Sequence, residues 1–203
     1  MPNPHNEQNH PRYEDVTGIL LAGGKSRRMG RDKARLEIGG EMLFLRSLAL
    51  LQRYFRKVLI AGDRPDLARA DVPAIADIYP GSALGGLYTG LSSAQTEWIF
   101  VAPCDMPYPD GRLVEMLLSQ RYSVDAVVPR TPNGYEPVFA VYHRNCLPCM
   151  EEMLRNNQHR IYDFYQRIAI RYLDWQQMPA DWERSLLNLN TPEQLRMFGQ
   201  EAK

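Results

Sequence analysis

Short apolar runs recur along the chain, and between them apolar positions fall three and four residues apart. Residues 16–21, 57–61, 97–103, 124–128 and 167–173 are too short and too continuously apolar for surface helices and predict strands. Residues 41–55 place Met42, Leu45, Leu48, Ala49 and Leu51 at helical spacing, and residues 84–95 and 111–120 carry further helical patterns. Strand–helix–strand alternation predicts an α/β fold with parallel strands and right-handed crossovers. The expected architecture is Rossmann-like, three layers α/β/α around a mostly parallel sheet. Ligands of such sheets gather at the carboxyl ends of the strands.

Length and charge narrow the picture. The 203 residues suit one domain, expected over 16–203. Residues 1–15 are polar and without periodicity and are expected to be a disordered tail, with His5 and His10 as solvated residues. The tail holds no hydrophobic stretch for secretion, and no apolar run approaches the length of a membrane span, so a soluble, cytoplasmic protein without a membrane partner is expected. The formal net charge is zero and the pI about 6.9, which argues against a general nucleic-acid binder. Three cysteines, an odd number, read as reduced thiols. Cys146 and Cys149 have C-x-x-C spacing, but there is no second pair and Cys104 is remote, so small buried hydrophobes are the default reading.

One segment changes the picture more than any other. The strand at 16–21 runs into Ala22-Gly23-Gly24, and Lys25, Arg27, Arg28, Arg31, Lys33 and Arg35 follow with one acid, Asp32, among them. Glycines after a strand admit close approach of backbone N–H groups, and a nest of N–H groups flanked by Lys and Arg suits a polyphosphate. The spacing is not that of a Walker A loop, whose first glycine would fall at Ile19, nor that of a dinucleotide fingerprint. The remaining reading is a nucleotide-triphosphate loop. Leu21, Ala22, Gly23, Gly24 and Lys33 are then expected nucleotide contacts, and Lys25 and Arg28, with the Gly23 and Gly24 amides, are expected to stabilise the departing phosphates.

Other strand ends supply candidates for the same ligand. Asp105 follows the strand at 97–103, and a carboxylate there can hold Mg²⁺ against substrate phosphates. The competing role, a helix N-cap, is better filled by Asp110. Residues 77–91 carry Gly81, Gly85 and Gly86 ahead of a helix, a second close-approach loop. Asp77 at its start has a plain reading as a turn residue before Pro80-Gly81. Asn188 and Asn190 alternate with Leu187 and Leu189, which places both amides on one side of a short strand. Thr191 and Pro192 have a plain explanation as the cap and first position of a final helix. His143 shows no partner in sequence and reads as a surface or core histidine.

Residues 20–33, L-L-A-G-G-K-S-R-R-M-G-R-D-K, resemble the signature of nucleotidyltransferases that activate sugars and cofactors, and most of all the molybdenum cofactor guanylyltransferase family. Three further segments, in order, resemble that family. They are P-C-D-M-P-Y around Asp105, the glycine loop at 77–91 with Ala83 where the family has proline, and N-L-N-T-P-E at 188–193; residues 135–142 resemble its acceptor-side segment. At the end of the second strand the chain has Ala61-Gly62-Asp63 where the family often has asparagine. The resemblance implies transfer of GMP from GTP to the phosphate of molybdopterin, with or without molybdenum, releasing pyrophosphate. It implies Mg²⁺ at Asp105, nucleotide contacts from Asp77 and Gly85, acceptor contacts from Asn188 and Asn190, and proteins of molybdenum insertion and molybdoenzyme maturation as partners. The alternatives are a relative that uses CTP or another phosphorylated acceptor, and a non-catalytic GTP-binding delivery protein.

Overall fold

The computed structural model describes residues 12–23 and 32–189. Expectations for the tail to Pro11, for Gly24, Lys25 and Arg28, and for Asn190, Thr191 and Pro192 fall outside the described residues.

The chain opens with β1 (Tyr13–Leu21), then the two-residue strands β2 (Glu37–Ile38) and β3 (Glu41–Met42), α1 (Leu43–Tyr54) and β4 (Phe55–Ala61). It continues with β5 (Ala74–Ile75), α2 (Ala83–Ser93), β6 (Trp98–Pro103), α3 (Gly111–Ser119), β7 (Ala126–Thr131), β8 (Gly134–Tyr135) and β9 (Ala140–His143). Helix α4 (Leu147–Arg155), β10 (Ile170–Asp174) and α5 (Trp182–Ser185) complete the described elements. The main sheet has the order β10-β7-β9-β6-β1-β4-β5, with β8 paired to β7.

Alternation along each strand sends side chains to two cores. Leu20, Phe100, Val127 and Val141 pack with Phe44, Leu48 and Leu51 of α1 and Leu113 and Leu117 of α3 on one face. Ile19, Ile99, Val101, Val128 and Tyr142 pack with Leu84, Leu87 and Leu91 of α2 and Met150 and Met153 of α4 on the other. A sheet buried on both faces is why its strands read as continuous apolar runs. The three-layer expectation is met.

Two expectations change, and the mostly parallel sheet that was expected includes two antiparallel strands. Tyr13, Glu14 and Asp15 belong to β1 and not to a disordered tail: Tyr13 packs on Phe55, and Asp15 pairs with the buried Arg121 at 2.7 Å. Residues 41 and 42 form a strand edge against β2, so α1 begins at Leu43. The sheet is parallel except at β9, which runs antiparallel to both β6 and β7, and at β8. The turn before β9 therefore lies at the same edge as the carboxyl ends of β1, β4 and β6.

Candidate active site

A cavity of about 420 Å³ opens at that edge. The end of β1 (Leu21, Ala22, Gly23), the segment after β6 (Cys104, Asp105), the entry to α2 (Gly81, Ser82, Ala83, Gly86), and Lys33, Arg64, Asp77, Val138 and Asn188 contribute to its wall.

The floor depends on two close backbone approaches. Ala22 N–H donates to the Ala61 carbonyl at 3.0 Å, and Cys104 N–H to the Leu21 carbonyl at 3.1 Å, which locks the three strand ends together. Gly62 has φ +139°, and a Cβ there would lie 2.6 Å from Gly23 N, so glycine is required. Gly23 itself does not need positive φ. A Cβ on it would instead meet Asp77 Oδ2 at 2.7 Å, so its missing side chain makes room for that carboxylate.

Helix α2 brings its N-terminus to the cavity. Ser82 is its N-cap and accepts from Gly85 N–H at 3.0 Å. The helix starts two residues before Gly85, which is therefore inside the first turn and behind the cavity wall, with Gly86 in the wall. A Cβ on Gly85 would overlap the Tyr79 carbonyl oxygen, so this glycine lets the 77–82 loop fold over the helix. The positive end of the helix dipole and the uncapped N–H groups of the first turn favour an anion there.

Asp105 is buried, 7% exposed, just beyond β6. Its Oδ2 accepts from Lys33 Nζ at 2.7 Å, an ion pair across 72 positions of sequence. Two residues that the sequence assigned to the nucleotide thus meet each other. Asp32, beside Lys33, is held elsewhere: Arg64 grips both its oxygens at 3.0 and 2.7 Å, and Asp32 also caps the turn Lys33–Arg35 by accepting from Ala34 N–H. Arg64 bonds Asp66 as well, at 2.9 Å through two nitrogens, and Arg35 reaches Asp66 at 3.1 Å. Hydrogen bonds from Arg64 and then Arg35 hold the Asp66 carboxyl well below the usual carboxylate range. Arg64 lies in the cavity wall and had no sequence signal beyond being a basic residue after a strand end.

Asp77 stands apart electrostatically. Its Oδ1 is buried without a hydrogen-bond partner among the described residues. Burial, and then the charge of Asp63, raise its pKa.

Asn188 reaches the cavity wall, held by the Leu189 N–H donating to the Asp105 carbonyl at 3.2 Å. Residues 187–189 do not form the expected strand: that contact is to one backbone group, without a ladder partner. Leu189, with Leu187 beside it, packs with Leu36, Ile38 and Leu43. Cys104 and Cys146 are buried, free thiols, and burial first of all raises both pKa values, that of Cys104 to about 12. His143 caps the turn at Arg144–Cys146 and packs on Trp98 with ring centroids 4.7 Å apart.

Carboxylates available for a hard cation are therefore few. No group of three or more His, Cys, Asp or Glu suited to a metal occurs among the described residues. One buried carboxylate beside an anion-binding helix end fits a cation such as Mg²⁺, which takes one or two protein carboxylates and completes its shell with phosphate oxygens and water. No described helix is long and apolar enough to cross a membrane.

Known proteins share both the sequence and the architecture. The MobA-like NTP transferase domain is matched by residues 18–171. The chain is 34% identical to the "probable molybdenum cofactor guanylyltransferase" of Pelotomaculum thermopropionicum, covering 89% of this chain and 90% of that protein. It is 32% identical to the molybdenum cofactor guanylyltransferase of Vibrio atlanticus, covering 89% and 94%. The crystal structure of molybdopterin-guanine dinucleotide biosynthesis protein A from Archaeoglobus fulgidus superposes with a TM-score of 0.79 at 20% identity, covering 91% of this chain and 97% of that one, and so shares the fold.

Proposed function

The chain belongs to the MobA-like NTP transferase family, and we propose that it transfers GMP from GTP to the terminal phosphate of molybdopterin, with or without bound molybdenum. An oxygen of the acceptor phosphate attacks the α-phosphorus. The bond from the α-phosphorus to the α–β bridging oxygen breaks, and its electron pair leaves with pyrophosphate. A phosphate monoester is ionised at neutral pH, so no general base is needed. Catalysis then rests on alignment and charge neutralisation. A cavity lined by Lys33, Arg64 and a helix N-terminus, and by no histidine among the described residues, supports that division of labour.

Asp105 would hold Mg²⁺, which supplies neutralisation of the phosphate charge that develops at the leaving group. Lys33 neutralises the buried Asp105 carboxylate and can exchange that partner for a phosphate oxygen when metal and nucleotide arrive. The Gly23 and Gly24 amides, Lys25 and Arg28 would cradle the departing pyrophosphate. Asn188 and Asn190 would face the acceptor.

The observation that favours guanine over cytosine is Asp77. A carboxylate with an orphaned oxygen accepts two neighbouring N–H donors, which guanine offers through N1–H and its 2-amino group. Cytosine offers an amino group beside an acceptor. Incubation with Mg²⁺, molybdopterin and each nucleoside triphosphate tests both statements. GTP is expected to give the dinucleotide and stoichiometric pyrophosphate. Absence of dinucleotide overturns the transfer reading, and equal use of CTP removes Asp77 as the base reader.

A further inference from the structure

The turn that leads into β9 carries a carboxyl that the transfer chemistry above does not use. Glu136 follows Tyr135 of β8, and its backbone is fixed at both ends. Its N–H donates to the Pro129 carbonyl at 3.0 Å, and its carbonyl accepts from Phe139 N–H at 3.2 Å. The side chain is half-buried yet makes no hydrogen bond or ion pair among the described residues. Burial alone lifts its pKa to about 7. A carboxyl taken from water without a partner costs stability, so its retention in a rigid turn points to donors that arrive from outside.

Its neighbours say what kind of donor. Two residues on, Val138 forms part of the cavity wall. One residue before, Tyr135 is 38% exposed and stacks on Tyr172 with centroids 5.0 Å apart and planes at 22°. Tyr165 meets Tyr135 edge-on at 5.7 Å, and Tyr162, 45% exposed, stands 6.3 Å away. One short turn thus joins an aromatic surface, an unpartnered carboxyl and the wall of the cavity. A planar heterocycle with two adjacent N–H donors on one edge answers all three: its ring lies among the aromatic residues and its edge meets the carboxylate.

We infer that Glu136 is the specificity residue for the acceptor, accepting from the 2-amino and N3–H groups of its pterin ring, with Tyr135 and Val138 bounding the ring. The inference rests on the reading of the acceptor as a pterin phosphate. Guanine carries a similar edge, but Asp77 follows β5 whereas Glu136 precedes β9, with β6, β1 and β4 between β9 and β5 in the sheet. Donor and acceptor rings therefore have separate readers on the two sides of the reacting phosphates.

The test uses the full chain and Glu136→Gln. Steady-state kinetics with GTP, Mg²⁺ and molybdopterin separate the two KM values. Fluorescence titration compares pterin-6-carboxylate with lumazine-6-carboxylate, in which an oxo group replaces the 2-amino group. The variant is expected to raise the acceptor KM at least tenfold while the KM for GTP stays within twofold. The wild type should favour the pterin over the lumazine at least fivefold, and the variant should lose that preference. An unchanged acceptor KM overturns the inference. Equal binding of the two pteridines by the wild type overturns it without recourse to any variant. A wild type that makes no dinucleotide, yet discriminates the pteridines through Glu136, would remove the transfer reading and leave the pterin assignment standing.

Discussion

Asp105 and Glu136 are both carboxyls withdrawn from water, and their surroundings give them opposite behaviour. Asp105 has Lys33 at 2.7 Å, so its charge is balanced within the protein. Asp105→Asn keeps the shape and removes the charge that would face the metal. Turnover is expected to fall about 10²-fold, near 3 kcal/mol of transition-state stabilisation, with GTP binding reduced far less. Rapid-quench kinetics beside equilibrium GTP titration check this, and near-normal turnover would move the metal elsewhere. Glu136 has no such balance. Its pKa rises from the ordinary 4.5 to about 7 on folding, so the folded state holds more protons between those values. Stability therefore falls as pH increases through that window. Glu136→Gln removes the slope: at pH 8 the variant should exceed the wild type by about 1–2 kcal/mol, allowing for solvent that still reaches the group, and at pH 4 the two should agree. Urea melts at the two pH values decide it, and a difference that does not change with pH would contradict the burial argument. The sequence made Asp105, Lys33 and Asp77 legible because each stands in or beside a glycine turn or at a strand end. Arg64 was not legible: its place depends on Asp32, which meets it only when the turn after β4 folds against the residues ahead of β2, while Asp66 lies two residues on in its own turn. Glu136 was seen only as one letter of an acceptor-side segment, because its lack of partners is a property of three-dimensional surroundings.

Among the elements, the parallel strands declared themselves and the antiparallel one did not. β1, β4, β6 and β7 are covered on both faces, so their apolar runs are unbroken. β9 is four residues long and follows a turn rich in polar and aromatic residues, and its pairing partners lie 39 to 45 positions upstream in β6 and 14 to 16 in β7. Helix α4 was hidden by Pro148 in its first turn and by the C-x-x-C spacing, which draws attention to chemistry; the structure gives Cys146 a place in the core instead. Helix α2 was legible, and its start at Ala83 lies one residue ahead of the expected Leu84, with Gly85 and Gly86 in its first turn. Those glycines carry a prediction of their own. Gly85→Ala raises helix propensity yet drives a methyl into the Tyr79 carbonyl, so the 77–82 loop or the helix must move. A loss of about 2–4 kcal/mol is expected, since backbone cannot yield as a side-chain end does. Because Asp77 and the helix N-terminus shift together, GTP affinity should drop even at temperatures where the variant is folded. Chemical denaturation paired with GTP titration separates the two effects, and full GTP affinity in the variant would dissociate the loop from the nucleotide.

Across the whole molecule, layers and fold class followed from the alternation of patterns, while the reversal at β9 did not, since strand direction is set by long-range pairing. That reversal has a consequence for how the protein can change. Had β9 run parallel to its neighbours, the segment entering it would have emerged at the far edge of the sheet from the cavity. Running backwards, it delivers residues 134–138 to the edge where the β1 loop, Asp105 and α2 converge. On the inference drawn for Glu136, the reading of the acceptor's ring lies in one contiguous stretch between β7 and β9, apart from the stretches proposed to handle the nucleotide, with Asn188 and Asn190 meeting the acceptor from outside it. Such a division makes the enzyme modular. Replacing residues 132–138 with the corresponding stretch of a family member that uses a different phosphorylated acceptor should transfer acceptor preference, while the choice of GTP stays with the host. Competition assays with mixed acceptors and mixed triphosphates would reveal it, and a graft that alters base choice would show that the two recognitions are entangled. A fold that lets one inherited hairpin be exchanged while the chemistry stays in place is well suited to diversify by substitution of its receiving end alone.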